Sequence, residues 1–87
     1  MPQEPDKYLL TAAGKDNAIL ASLIWRYCKK RKITWGAYAH RLNITLADLF
    51  ALGLYEPPTA EFEYIFMAHK LHMPRALVYT IIGEISK

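Results

Sequence analysis

Two histidines three residues apart, His69 and His72, a lone cysteine, Cys28, and the cation run Lys29, Lys30, Arg31 and Lys32 are the residues here whose types and spacing could do chemistry. Histidines at i and i+3 can share a metal ion. A closed site needs about four ligands, however, and His40 and Cys28 are distant in sequence. No metal and no cofactor is expected, and the pair reads as surface histidines. Cys28 has no CxxC partner and no adjacent histidine, so it reads as a small structural residue and not a nucleophile. The acids Asp6, Asp16, Asp48, Glu56, Glu61, Glu63 and Glu84 fall mostly at helix starts or on solvent faces, and the four glycines are scattered. No catalytic set or phosphate-cradling loop assembles, so no enzyme is expected. The cation run, with Arg26 one turn earlier, keeps two readings. Cations complement the dipole at a helix C-terminus, and the same charges make an edge that can contact phosphate.

The chain that must position these groups has 87 residues, one small domain's worth. Hydrophobic residues make up 53%. A domain this small cannot hide them all, so an exposed apolar patch is expected, and with it a homo-oligomer or protein partner. The net charge of +3 and a pI near 9.1 permit contact with nucleic acid without demanding it. One cysteine excludes an intrachain disulfide and fits a reducing compartment. The opening MPQEPDKYLL has acids and prolines where a signal peptide needs a basic and then an apolar region, and no run is long enough for a membrane span. A cytoplasmic protein is expected.

Residues 1–15 read as an N-terminal arm: Pro2 and Pro5 disfavour early helix, and Tyr8, Leu9, Leu10, Ala12 and Ala13 allow one or two turns before Gly14. Residues 16–87 read as a single all-α domain. Asp16 or Asn17 can cap a helix over 17–31 that buries Leu20, Leu23, Ile24 and Tyr27. Thr34 caps a second helix, 35–42, and Asn43 suits a corner with positive φ. Thr45 caps a third, 46–52, with Asp48 in its first turn and Gly53 as its stop. Leu54 to Thr59 form a stiff loop through Pro57 and Pro58. Thr59 caps a fourth helix, 60–71, expected to bury Phe62, Ile65, Phe66 and Leu71. The last helix starts at Met73-Pro74 and places Leu77, Ile81 and Ile85 on one face, beside Val78 and Ile82. Tyr79 and Ile82 are expected outside the core.

From Ile19 to Leu77 this order resembles the Cro/cI (Xre-type) helix-turn-helix family. Ile33-Thr34 opens the second helix, Tyr38-Ala39 and Leu42 give its apolar-Ala-x-x-apolar pattern, and Asn43 stands where the family usually has glycine. Ile44-Thr45 opens the third helix, which Leu49 and Leu52 anchor. Pro58-Thr59 and Leu71-His72-Met73-Pro74 make the later turns. The resemblance implies a compact five-helix bundle of the lambda-repressor-like type. It also implies a small dimeric transcriptional regulator that inserts helix 46–52 into the major groove of double-stranded DNA. Thr45, Leu46, Ala47 and Phe50 would then face the bases. Lys30, Lys32, Arg41 and the helix start at Thr34 and Trp35 would approach phosphates.

That reading face is mostly apolar, whereas direct readout relies on polar donors and acceptors. A second reading therefore stands beside the first: a protein-interaction module with a patch around Phe50. Trp35, Leu46, Phe50, Leu54 and Tyr55 would supply it, and Tyr79 and Ile82 would extend the interface from the last helix.

Overall fold

The computed structural model describes residues 19–87, which form the helices α1 (Leu20–Arg31), α2 (Trp35–Leu42), α3 (Leu46–Gly53), α4 (Glu61–Leu71) and α5 (Arg75–Ile85). The described residues are all-α, with no strand among them. The expected arm and the caps Asp16 and Asn17 lie outside the described residues. Among those described, no helix is long and apolar enough to cross a membrane.

The helices close a ring. α1 packs on α2, α3 and α5; α3 also packs on α2 and α4; and α4 packs on α5. Leu20 and Ile24 of α1, Trp35 and Tyr38 of α2, Leu49 and Leu52 of α3, and Val78 and Ile81 of α5 are fully buried at the centre. α1 starts at Leu20, later than expected, because its first amide is held from elsewhere in the chain. Leu20 N–H donates to the Tyr55 carbonyl at 2.8 Å, so the loop after α3 does the work of a cap.

One corner recurs three times. Lys32, Asn43 and His72 all adopt left-handed backbone conformations, with φ of 59°, 64° and 56°. The next residue in each case is apolar, and its amide donates five residues back: Ile33 to Cys28, Ile44 to Ala39 and Met73 to Ala68, at 3.0, 3.0 and 2.9 Å. This satisfies carbonyls that a helix end leaves open. The third residue of each corner, Thr34, Thr45 or Pro74, is the N-cap of the following helix. Asn43 is the residue type suited to that backbone; Lys32 and His72 adopt it without that advantage.

Gly53 does not stop α3 by a positive φ, as expected from sequence. It is the last helical residue, and the cap is Leu54. A Cβ at Gly53 would stand 3.3 Å from the Cα and Cβ of Ala21, so the glycine lets α3 and α1 approach closely.

α4 departs furthest from expectation. Phe62, Ile65 and Phe66, expected inside, are 70%, 43% and 54% exposed. The inward stripe is Tyr64, Met67, Ala68 and Leu71, a second i, i+3, i+4, i+7 set two residues along. Thr59 does not cap this helix either. The N-cap is Ala60, and the Thr59 amide donates to Glu63 Oε1 at 2.7 Å. In α5, Val78, Ile81, Ile82 and Ile85 form one buried stripe, so Ile82 belongs to the core. Tyr79 stays outside it and stacks on Tyr64, with ring centroids 4.1 Å apart and planes 11° from parallel.

Candidate functional site

The outward surface of the α2–corner–α3 unit begins with its caps. Thr34 Oγ1 accepts from the Ala37 amide at 3.0 Å. Thr45 Oγ1 accepts from the Asp48 amide at 3.1 Å, while the Thr45 amide donates to Asp48 Oδ2 at 3.3 Å. This reciprocal pair ties up two amides at the start of α3. Asp48 therefore does more than complement the helix dipole, and Thr45 and Asp48 hold each other in place.

Trp35 was expected to approach phosphate or a partner protein. It has no exposed surface at all. The reason is its position directly after the corner, where the first turn of α2 faces α3: the Trp35 and Phe50 rings meet edge-on with centroids 5.3 Å apart. Phe50 is in turn half-buried, packed on the core with Leu46. The apolar patch expected around Phe50 is thus largely turned inward. What α3 leaves exposed is Thr45 and Ala47 at its start and Leu54, 66% exposed, just past its end. Tyr55 is half-buried, its carbonyl holding α1.

The basic run divides between two sides of α1. Lys29 and Lys32 line an open cleft of about 390 Å³ together with Trp25, Cys28, Ile33 and Thr34, next to the N-terminus of α2. The Lys29 ammonium lies 4.6 Å from the centroid of the Trp25 ring. Lys30 instead lines a small cavity of about 90 Å³ with Arg26, Arg31, Glu84 and Lys87. There the Arg31 guanidinium covers the Tyr27 ring at 4.5 Å. Lys30 is thus not beside Lys32, and Lys29 takes that place. The signal was available: Trp25, Lys29 and Lys32 follow i, i+4, i+7 spacing. Arg41 is exposed in the last turn of α2.

A second legible signal is the sign of charge along the chain. From Ile19 to Ala47 there is no acid, while Arg26, Lys29, Lys30, Arg31, Lys32 and Arg41 are all cations. The first acid is Asp48, held in its cap. The mild overall charge conceals this asymmetry because the acids lie elsewhere.

One polar link escaped sequence reading. The Tyr38 hydroxyl donates to Glu84 Oε1 at 2.7 Å, joining α2 to α5 across the ring of helices. Burial pushes the Tyr38 phenol far above its usual value, and the hydrogen bond and charge of Glu84 push it the same way. At α4, Glu63 is lowered, chiefly by the hydrogen bond from the Thr59 amide. Comparison of the chain with family models, curated proteins and solved structures finds no match.

Proposed function

We propose that this chain is a small DNA-binding transcriptional regulator of the lambda-repressor-like helix-turn-helix kind, with α3 entering the major groove. The observation that carries the reading is the acid-free stretch from Ile19 to Ala47, which holds six cations and places Lys29 and Lys32 beside the start of α2. Phosphate contacts supply much of the affinity of such complexes. The cleft lined by Lys29, Lys32 and Thr34, beside the start of α2, offers a seat for a phosphate with two lysines at its wall. Arg41 can contact the backbone from the far end of α2.

Sequence preference is weak in this reading. Ala47 can touch a thymine methyl, and Thr45 keeps its hydroxyl proton for a base or phosphate while its oxygen caps α3. Leu46 and Phe50 serve packing more than readout. Phosphate contacts position the domain and little else specifies the site.

Binding to a duplex, followed by fluorescence anisotropy between about 50 and 200 mM salt, tests the reading. Affinity should fall steeply over that range. Lys32→Ala and Arg41→Ala should each lower the salt slope by about one unit. Undetectable or salt-insensitive binding at the lower concentration overturns it. The other reading, a protein-binding patch around Phe50, is disfavoured by the inward packing of Trp35 and Phe50. Of the expected patch only Leu54 is exposed, and most of the exposed apolar surface lies on α4.

A further inference from the structure

α4 carries two stripes of large apolar residues, and among the described residues the ring of helices covers one of them. The inner stripe meets α3 and α5. The outer one, Phe62, Ile65 and Phe66 followed by His69, repeats i, i+3, i+4, i+7 spacing and is exposed along its whole length. Three large apolar side chains side by side on one solvent face make a contiguous patch, unlike a scattered surface leucine.

Charge along the same helix selects the occupant. The first turn holds Glu61 and Glu63, and the last holds His69 and Lys70. A helix with acids at one end, a lysine at the other and an apolar centre is complementary to itself when reversed. We propose that the outer stripe of α4 is a two-fold seam on which a second copy of this chain docks with its own α4 antiparallel. In that arrangement Phe62 of one copy meets His69 of the other, and Ile65 and Phe66 lie near the axis against their own counterparts. Glu63 comes to Lys70 along the shared edge. A parallel pairing would instead bring the two acidic ends together.

The area sets the strength. Aromatic side chains bury about 150–250 Å² each when fully covered, so this partly exposed trio offers on the order of 300 Å² per copy. A standard interface takes about 800 Å² per partner. The flanking side chains must supply the rest, and a weak, concentration-dependent dimer is expected.

This inference goes beyond the DNA reading and does not rest on it. Sedimentation velocity of the full chain without DNA, from about 10 µM to about 1 mM, should show monomer passing to dimer. Phe66→Asp should remain monomeric with unchanged helical content, because Phe66 makes little core contact. Should that variant lose helix, Phe62→Ser at the other end of the stripe gives the same measurement. Lys70→Glu should weaken the dimer by placing acid against Glu63. Orientation is read by oxidative cross-linking: Ile65→Cys should join to itself readily and Phe62→Cys should not. A wild-type chain that stays monomeric throughout overturns the proposal, as does a Phe66→Asp chain that dimerises normally. Preferential self-cross-linking of Phe62→Cys overturns the antiparallel seam. A chain that dimerises this way but ignores DNA leaves the seam standing and removes only the DNA reading.

Discussion

α3 and α4 are both short apolar helices that follow a threonine, and they use their aromatic residues in opposite ways. α3 turns Phe50 inward against the buried Trp35 ring and shows solvent Thr45 and Ala47. α4 keeps Met67 and Ala68 inside and shows solvent Phe62, Ile65 and Phe66. Their starts differ too. Thr45 and Asp48 close a reciprocal cap on α3, while Ala60 caps α4 with no side-chain bond. The difference follows from their neighbours. Among the described residues, α3 is held by α1, α2 and α4, whereas α4 is held by α3 and α5. A helix with more neighbours can bury more of its circumference. α4 leaves such a stripe open, and in a small domain that stripe is available for association.

The largest expected effect separates the two aromatic groups directly. Trp35→Ala should destabilise the fold by about 3–5 kcal/mol, as large core truncations do. Phe66→Ala, measured where the chain is monomeric, should stay within about 0.5 kcal/mol of wild type. Equal losses in chemical denaturation would erase the contrast between a structural aromatic and an exposed one.

A middle-sized effect concerns the link that bypasses α4. Tyr38→Phe should cost about 1.5–3 kcal/mol, since the Tyr38 hydroxyl bonds a charged acceptor. The folded phenol titrates above its ordinary value of 10.0, so the unfolded chain loses that proton first as pH rises. The contribution is therefore fully present below pH 10.0 and declines above it. Stability curves of wild type and Tyr38→Phe should converge in alkali; parallel curves would show that Tyr38 does not titrate differently in the two states.

The smallest effect compares the two threonines. Thr45→Ala should cost about 1 kcal/mol by opening the α3 cap. Thr59→Ala should cost much less, because the bond from its backbone amide to Glu63 survives and only the 3.3 Å hydroxyl contact is lost. Thermal melts of the two variants measure the difference, and a Thr59→Ala loss as large as that of Thr45→Ala would contradict the cap assignment.

Much of the helical framework was legible because it rests on local rules. Thr34, Asn43 and Thr45 declare a cap, a left-handed corner and a second cap within a dozen residues, and all three are found in those roles. The left-handed turns at Lys32 and His72 were not legible, since neither residue type marks positive φ. They become visible only as repeats of the corner whose middle residue is Ile33, Ile44 or Met73. Of the candidate site, the cations could be named but not sorted onto the sides of α1, and Trp35 was given to the surface because its burial depends on Phe50, fifteen residues away.

What the sequence determined by itself was the all-α character, the second and third helices with their caps, and the basic character of the first half of the domain. These follow from backbone preferences, helical period and charge, all of which act over a few residues. What only the tertiary structure decided was which face of each helix is the inside. α4 offers two apolar stripes of the same period, and local patterning cannot rank them. The choice is made where Met73 tucks under the end of α4 with its amide on the Ala68 carbonyl, and where Tyr64 stacks on Tyr79. In that arrangement Met67 and Ala68 face inward, and Phe62, Ile65 and Phe66 face out.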